Sequence, residues 1–583
     1  MDRRRFLIST GSLAGLARLV STARADSVAD PVSGQQVKAP FRTLYNNDAT
    51  NLLSCFSPWS NPSNNPPPQV FSQSLIEASV SEVAGLVDVQ LFCPGLCWVP
   101  WWTSKVYPAT EHYLWYYQLI GQPAGPYDAY ARYMMGGGDM VAGFLRACRR
   151  RGQTAFVSFR LNDMQFLETK GNTTVTTSKM CKFWYENSAY VGNNIYTLGQ
   201  DYSKNPQRAQ NWAIPEVREY KLSLIREICE YDIDGLELDF NRYAILFPRF
   251  SDVEENQAIM VDFIQSVRQA LDQGPDPDRL PQNADSVENY RLRHRYLCVR
   301  VPSFIDVHQK LGVSLPDFVQ AGVDMVNVSD GFFTTNESDL RQIRPSIPET
   351  PIYFETTQTT NWTAKFPDGG RPFLRTTDQQ FHTVADLAYR QGADGISVFN
   401  FAYYRQTSRE IASDPGVGPF TEPPFHVLDG LRHADYVASG PRWYFLAVDH
   451  DSYISRAMQM PKVLHVGATR TFNLTMYPLG SSSDAVLRIR VAPPTGYSGG
   501  PVPAWVSLAE LNDIPLAPMP FIGAPLPDPY EANLAVDPSR FCCFRANSGM
   551  VVQGDNSIKV TLSQPTSEGA STVTLDYLDI SWT

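Results

Sequence analysis

Regular alternation of strand-like and helix-like segments constrains the fold of this chain more than any other feature. Short apolar runs of strand character occur at residues 42–48, 87–93, 154–160, 233–240, 296–302, 325–329, 352–355 and 395–400. Most are followed by apolar residues at helical spacing, as in 216–230, where Val217 and Leu224 fall on one face. Strands separated by helices pair in parallel, so eight such units predict a closed (β/α)8 TIM barrel.

An open, doubly wound α/β sheet is the alternative that this order of elements allows. Its dinucleotide-binding form places Gly-x-Gly-x-x-Gly directly after the first strand, and no such sequence follows residues 42–48. Gly136, Gly137 and Gly138 precede a helix, but no strand leads into them, so we interpret them as a hinge. The closed barrel is the α/β fold that we expect.

The pattern changes after about residue 440. Apolar and polar residues then alternate at 471–476, 485–491, 557–562 and 572–580, with Pro and Gly between these runs. Alternation of this kind is typical of half-buried antiparallel strands and predicts a C-terminal all-β sandwich. We therefore divide the chain into a signal at residues 1–25, a barrel domain at 26–440 and a sandwich domain at 441–583.

The N-terminus has the character of an export signal. Arg3, Arg4 and Arg5 precede an apolar stretch, and Ala23-Arg24-Ala25 has the small-x-small form of a cleavage site. The arginines resemble the twin-arginine motif, which implies export to the periplasm or secretion. A mature chain beginning near Asp26 has no later apolar stretch long enough to span a membrane.

Composition excludes several classes of function. The 583-residue chain has a formal net charge of -11 and no basic run after its N-terminus, so nucleic acid is not an expected partner. Its 8 histidines form no His-x-x-x-His or His-x-His pair near a carboxylate, and we expect neither a metal nor a cofactor. A Gly-x-Ser-x-Gly nucleophile elbow is also missing from the sequence.

The segment 234–243, Asp-Gly-Leu-Glu-Leu-Asp-Phe-Asn-Arg-Tyr, points to a carbohydrate enzyme. Side chains alternate along a strand, so Glu237 and Asp239 share one face and apolar residues take the other. Glycoside hydrolysis needs two carboxyl groups flanking the scissile bond. We predict Asp239 and Glu355, near the ends of the fourth and seventh strands, as that catalytic pair, with the order of roles open. Glu237, one step deeper, is the third catalytic candidate and would tune the site.

Polar residues gather at the ends of the other predicted strands, where active sites of this fold are built. The candidates for substrate binding are Asp48, Arg160, Asn162, Asn241, Arg242, Arg300, Asp330 and Asn400. The alternative is that Glu237 and Asp239 only form ion pairs with Arg160, Arg242 or Arg300.

A segment rich in aromatic residues follows the second predicted strand and includes Trp98, Trp101 and Trp102. Sugar rings stack well on aromatic faces, so these tryptophans are candidates for substrate binding at the barrel mouth. Equally, the aromatic residues could pack together as a small additional core.

The segment 234–243 resembles the signature of glycosyl-hydrolase-like barrels described as family-10-like. It is also similar to the fourth-strand motif of chitinase-type barrels, Asp-Gly-x-Asp-x-Asp-x-Glu, except that Glu237 replaces the middle Asp and Asn241 the final Glu. The resemblance implies a (β/α)8 fold and a carbohydrate substrate. We expect an exported glycoside hydrolase acting on a polysaccharide or oligosaccharide. The alternatives are a non-catalytic carbohydrate-binding barrel and a surface structural protein.

Overall fold

The structure is a computed structural model, and everything described from residue 40 onward belongs to one compact unit. The described residues are 40–47, 71–95, 99–120, 129–163, 168–170, 173–175, 182–187, 209–247, 252–279, 293–362, 373–405, 423–447, 459–478, 483–491, 508–522, 526, 541–563 and 572–582. The predicted signal at residues 1–25 lies outside these ranges, as do Asp48 and Trp98.

Eight parallel strands close into a barrel, as the alternation of elements predicts. In chain order these strands are β1 (Thr43–Asn47), β2 (Val89–Phe92), β3 (Thr154–Arg160), β6 (Gly235–Asp239), β7 (Tyr296–Pro302), β8 (Met325–Ser329), β9 (Ile352–Thr357) and β12 (Gly395–Phe399). Each pairs with the next, and β12 pairs with β1 to complete the ring. All eight coincide with predicted strand runs.

Two small antiparallel pairs interrupt the barrel sequence: β4 (Glu168–Lys170) with β5 (Thr173–Val175), and β10 (Thr359–Trp362) with β11 (Phe373–Arg375). The helices are α1 (Gln73–Ser81), α2 (Ala109–Ile120), α3 (Ala129–Met135), α4 (Met140–Arg150), α5 (Lys182–Glu186), α6 (Pro215–Cys229), α7 (Val253–Asp272), α8 (Ile305–Lys310), α9 (Leu315–Gln320), α10 (Leu340–Ser346), α11 (Asp378–Gln391), α12 (Phe425–Leu431) and α13 (Ala434–Ser439). Single 3-10 turns occupy Pro277–Arg279, Phe401–Arg405 and Ser548–Met550.

Local sequence explains where α11 begins and ends. The Thr377 side chain accepts a hydrogen bond from the Gln380 backbone N–H, and the Gln380 side chain accepts one from the Thr377 N–H. This capping box satisfies two N–H groups that a helix start leaves open. Gly392 ends the helix at a φ of 106°, a left-handed conformation that favours glycine.

The barrel lumen is filled in layers by the inward-facing side chains. An apolar floor contains the buried residues Leu44, Val89, Leu91, Phe156, Cys298, Met325 and Tyr353. Each inward residue two positions further along its strand lies one layer nearer the carboxyl ends. On β1, β7 and β9 this step leads from Leu44, Cys298 and Tyr353 to Asn46, Arg300 and Glu355. The lumen therefore becomes polar towards its mouth.

Antiparallel sheets follow the barrel, as predicted. One sheet has the order β13 (Arg442–Ala447), β22 (Thr572–Trp582), β16 (Asp484–Val491), β20 (Phe541–Asn547) and β19 (Ala517–Met519), with β14 (Lys462–His465) also paired to β22. The other has the order β15 (Thr469–Met476), β21 (Gly554–Thr561), β17 (Leu508–Leu511) and β18 (Ile514–Pro515). Side chains from both sheets, such as Leu487 and Ile558, share one buried core.

Strand β13 also packs on the barrel helix α11, which joins the two parts of the compact unit. The Trp443 N–H donates to Thr383 Oγ1 at 2.9 Å, and Arg442 Nη2 lies 3.3 Å from a carboxylate oxygen of Asp386. These partners are buried, so the sandwich is fixed to the barrel wall by polar contacts inside a packed interface. No helix within the described ranges has the length and apolar character needed to cross a membrane.

Candidate functional site

Asp239, Arg300 and Glu355 form a buried ion cluster in the lumen, which we call the lumen triad. Arg300 Nη1 donates to both carboxylate oxygens of Asp239 at 3.0 Å, and Arg300 Nε lies 3.1 and 3.0 Å from the two oxygens of Glu355. Arg300 Nη2 donates to the same Glu355 carboxylate. The three residues are only 1 to 2% exposed. One guanidinium thus bridges the two predicted catalytic carboxyls.

The strand register explains why these residues meet. Asp239 at the end of β6 is paired with Arg300 on β7 and, on its other side, with Arg160 on β3. Glu355 reaches the same layer from β9, the seventh strand of the barrel. Its carboxylate also accepts a hydrogen bond from Ser329 Oγ at 2.6 Å. Alternation along each strand therefore directs all these side chains into the lumen.

Other groups lock the Arg300 guanidinium in place. Arg300 Nη2 donates to Ser329 Oγ and to the Gly331 carbonyl, both at 3.0 Å. The guanidinium carbon also lies 4.4 Å from the centroid of the Phe399 ring, a cation–π distance. Burial lowers the pKa of Arg300, whereas the carboxylates of Asp239 and Glu355 raise it. The combined effect of the carboxylates is the larger, so the pKa of Arg300 is raised. Arg300 therefore remains charged.

Glu237 lies one layer below the triad, with no exposed surface. Its Oε1 accepts from Asn46 Nδ2 at 2.9 Å and from Ser158 Oγ at 2.7 Å, and its Oε2 accepts from Asn327 Nδ2 at 3.0 Å. Burial raises the pKa of Glu237 to about 7. That value already includes the effect of Arg300 and the Ser158 hydrogen bond, which lower the pKa, and of the Asp239 and Glu355 charges, which raise it.

Sequence reasoning missed several neutral members of this network. Ser158, Asn327 and Ser397 are buried and were not among the predicted site residues. Asn327 Nδ2 reaches Ser397 Oγ as well as both glutamates, at 3.2 Å from Glu355 Oε2. The alternation of side chains along each strand could have identified them, because each of the three occupies an inward-facing position on a predicted strand.

Arg160 and Asn162 lie beside the lumen triad and have partners of their own. Arg160 Nη1 forms an ion pair with Asp163 Oδ2 at 2.7 Å, and both residues are buried. Asn162 Nδ2 donates to the Ile245 carbonyl. The structure therefore brings Arg160 next to Asp239 in the sheet but joins its guanidinium to Asp163.

Asn241 and Arg242 support Asp239 through their backbone. Their N–H groups donate to Asp239 Oδ1 at 2.8 and 2.9 Å. Asn241 Nδ2 donates to the Ser329 carbonyl at 3.0 Å, so this side chain reaches from β6 towards β8. Arg242 is half-buried, with its guanidinium carbon 4.7 Å from the centroid of the Tyr243 ring. The end of the fourth strand thus fixes one carboxylate of the triad.

Asp330 and Asn400 follow β8 and β12, and each is 3% exposed. Asn400 has a φ of 55°, a left-handed conformation that is uncommon for a residue other than glycine. Its Oδ1 is buried and has no hydrogen-bond partner in the part of the chain that the structure describes. Strain together with an unused acceptor makes Asn400 a candidate for ligand contact at the barrel mouth.

Trp101 and Trp102 are packed into the core instead of lining an open surface. They are 1% and 2% exposed and belong to the large apolar cluster of the barrel. Trp102 Nε1 donates to Glu227 Oε2 at 3.0 Å. As placed, neither ring offers a free face to a sugar, and the contacts fit the alternative of an additional aromatic core.

The lumen can therefore hold charge but has little free space at the triad. Asp239, Arg300 and Glu355 together carry one net negative charge, and ionised Glu237 would add a second. Such an environment stabilises positive charge that develops nearby. The guanidinium binds both predicted catalytic carboxyls, so a ligand that contacts them must approach from the mouth side or displace it.

No protein-family model and no curated protein matches this chain. Several solved structures are similar to it. An α-amylase from Geobacillus thermoleovorans is 11% identical, with a TM-score of 0.35, over 89% of this chain and 98% of the other. A maltogenic α-amylase from Thermotoga neapolitana is 12% identical, with a TM-score of 0.33, over 76% and 91%.

An α-galactosidase from Thermus thermophilus is 13% identical, with a TM-score of 0.32. The match covers 70% of this chain and 64% of the galactosidase chain, which is less than two thirds of its length. The fold class of the present chain is defined by its own closed ring of eight parallel strands and the antiparallel sheets that follow.

Proposed function

We propose that this protein is an exported glycoside hydrolase that cleaves glycosidic bonds in a polysaccharide or oligosaccharide. The observation that carries the proposal is the approach of Asp239 and Glu355, from the fourth and seventh barrel strands, to one guanidinium. Hydrolysis of a glycosidic bond uses two carboxyl groups about 5 to 9.5 Å apart. Asp239 lies 3.0 Å from Nη1 and Glu355 lies 3.0 Å from Nε of the same guanidinium, which supports a separation within this range.

In this proposal one carboxyl takes up a proton from water before the bond breaks and then donates it to the leaving oxygen, while the other, still ionised, attacks the sugar or activates water. Arg300 fixes the two groups relative to each other, because its five N–H donors form a rigid planar fork. The net negative charge of the lumen favours the oxocarbenium-like transition state. Asn241, Arg242 and Asn400, at the strand ends, are the proposed contacts for sugar hydroxyls.

Support for the substrate class comes from the sequence of the fourth strand. Residues 234–243 resemble family-10-like glycosyl hydrolase barrels, and Asp239 is the carboxylate that this segment brings to the lumen triad. We further propose export through the twin-arginine pathway, on the basis of Arg3, Arg4 and Arg5. Replacing all three with Lys should leave a tagged chain inside the bacterial cytoplasm. Export of that variant at the normal rate would exclude this route.

A second candidate function is carbohydrate binding without catalysis. The observation that favours it is the pairing of both carboxylates with Arg300 in a sealed environment, 1% and 2% exposed. Buried ion clusters also occur for purely structural reasons. In that case the mouth residues would bind sugar, and the triad would only fix the barrel.

The test is a panel of neutral, amino and acidic glycans incubated with the wild type, Asp239→Asn and Glu355→Gln. We expect the wild type to release sugar and each variant to lose about 10² to 10⁴ of that activity while still binding the glycan. Asp576→Asn, which removes a buried carboxylate paired with Arg490 in the sandwich, is the matched control. Binding without release by the wild type would favour the second candidate. Activity unchanged in both lumen variants would end the assignment of the site.

A further inference from the structure

Glu237 is a third carboxyl group in the lumen, and the proposed hydrolysis does not use it directly. It has no exposed surface, and its hydrogen bonds come from the neutral side chains of Asn46, Ser158 and Asn327. The Cys298 thiol lies 3.7 Å from its Oε2. Because these hydrogen-bond partners are neutral, no direct ion pair within the described part of the chain holds Glu237 in its ionised form.

The surroundings of Glu237 accommodate both of its protonation states. Ionised Glu237 accepts the three hydrogen bonds from its neighbours. Protonated Glu237 needs an acceptor, and the Ser158 hydroxyl can rotate to become one. Oδ1 of Asn46 and Oδ1 of Asn327 are also buried without a hydrogen-bond partner among the described residues, so turning either amide would present a second acceptor.

Asn327 connects this proton to the triad. Its Nδ2 lies 3.0 Å from Glu237 Oε2 and 3.2 Å from Glu355 Oε2, so one amide group donates to both carboxyls. If the amide turns to accept from protonated Glu237, Nδ2 moves away from Glu355. The number of hydrogen bonds that Glu355 receives therefore depends on the state of Glu237.

The charged and titratable groups that face Glu237 come from three strands. They are Asp239 on its own strand, Arg300 and Cys298 on β7, and Glu355 on β9. The remaining contacts from β1, β3 and β8 are neutral amides and a hydroxyl. Loss of the Glu237 proton thus takes this group from one net negative charge to two.

We infer that Glu237 is a positioning residue that holds a proton inside the lumen and, through the amide of Asn327, sets how firmly Glu355 is held. The inference rests on the proposed function, in which Glu355 is one of the two reacting carboxyls. The proton on Glu237 and its hydrogen bond with Asn327 can both be measured without any substrate.

The test combines two measurements on the full chain. Infrared difference spectra of the wild type between about pH 5 and pH 8.5 should show that one buried protonated carboxyl loses its proton. The same spectra of Glu237→Gln should not show this loss. A double-mutant cycle joining Glu237→Gln with Glu355→Gln should be non-additive in unfolding free energy above neutral pH. Replacing Asn327 with Leu should shrink that coupling, while the Asp576→Asn control should keep the wild-type spectrum.

If glycans are cleaved, Glu237→Gln should also remove an inflection near neutral pH from the kcat/KM profile and leave substrate KM nearly unchanged. Should Glu237→Gln fail to fold, Asn327→Leu keeps the ionisable group and still tests the connection. Identical spectra in wild type and Glu237→Gln, or strictly additive effects on stability, would overturn the inference. Absence of glycan cleavage with the spectral and coupling results intact would instead refute the proposed function alone.

Discussion

The guanidinium of Arg300 binds the carboxylate of Asp239 through Nη1 at 3.0 Å from both oxygens, and the same guanidinium binds Glu355. Replacing Arg300 with Leu would leave two buried carboxylates without their common cation. Removing one partner of a buried ion pair costs about 3 to 5 kcal/mol, so we expect a loss of that size in unfolding free energy. Urea titrations of wild type and variant measure it.

Two further variants distinguish lost pairing from lost packing at Arg300. Changing Asp239 to Asn and Glu355 to Gln in the Arg300→Leu background should restore a large part of the stability, because no uncompensated charge then remains. The exposed ion pair of Arg226 with Glu219 provides the surface control, and Arg226→Leu should change stability by less than about 1 kcal/mol. A triple variant as unstable as Arg300→Leu would contradict the electrostatic explanation.

The charges of the site and a set of possible ion pairs were predictable from the sequence, but the choice among those pairs was not. Alternation along the strands directs Glu237, Asp239, Arg160 and Arg300 inward, and the structure has all four in the lumen layers. Register places a guanidinium on each side of Asp239, from β3 and from β7. Whether Arg160 or Arg300 binds Asp239 depends on side-chain rotamers and on competing partners. Arg160 forms an ion pair with Asp163, and Arg300 binds Asp239.

Burial of Glu237 predicts a specific pH dependence of stability. Its pKa is about 7 in the folded protein against a usual value of 4.5. Between these pH values the unfolded chain releases the proton while the folded chain keeps it, so stability falls as the pH rises from about 4.5 to about 7. Below that window both states are protonated, and above it both are ionised, so Glu237 adds no slope there.

The difference in pKa corresponds to about 3 kcal/mol of stability that is present at acidic pH and lost above neutrality. Urea titrations at a series of pH values should therefore give Glu237→Gln a flatter profile than the wild type over this window. Asp576→Asn, which alters an acid in the sandwich, should retain the wild-type slope. Parallel profiles for wild type and Glu237→Gln would show that Glu237 does not hold the proton.

Glu227 on α6 anchors the segment that contains Trp102. Its carboxylate accepts from Trp102 Nε1, from Ser104 Oγ and from the N–H groups of Lys105 and Val106. Four donors converge on two oxygens, so Glu227→Gln should place an amide NH2 against donors and cost about 1 to 3 kcal/mol. Hydrogen exchange at the Lys105 and Val106 amides should accelerate.

Trp102→Phe tests the packing role of the tryptophan against the predicted role in sugar binding. Packing predicts a loss of stability with unchanged glycan affinity, measured by calorimetry at a temperature where both proteins are folded. Glu230→Gln is the control, because the partly exposed Glu230 contacts the same segment through Lys105 Nζ at 3.9 Å, whereas the Trp102 indole donates to Glu227. Weaker glycan binding by folded Trp102→Phe would restore the sugar-stacking hypothesis.

The barrel was more predictable than the tryptophans for a physical reason. Barrel strands are buried on both faces and occur as short apolar runs, so their number and spacing can be predicted from the local sequence. Trp102 instead has its hydrogen-bond partner, Glu227, more than 100 residues further along the chain, and such a contact leaves no local pattern in the sequence. The pairs β4–β5 and β10–β11 were also missed, because strands of three or four residues have too few positions for an alternating pattern.

Gly235, at the start of the strand that contains Glu237 and Asp239, tests how tightly the lumen is packed. A Cβ at this position would lie 2.5 to 2.7 Å from three atoms of the Phe156 ring, which is fully buried in the lumen floor. The Phe156 ring is packed against the rings of Phe41 and Tyr296, with centroids 5.9 and 6.1 Å away, so Gly235→Ala should destabilise the protein by about 1 to 3 kcal/mol. Gly440→Ala is the matched control, because its Cβ would meet no atom within 4 Å and its φ of -85° suits alanine. We expect the control to leave the melting temperature unchanged or slightly raised, and Gly235→Ala to lower it by several degrees. Equal melting temperatures for the two variants would mean that the Phe156 layer yields more easily than its contacts indicate.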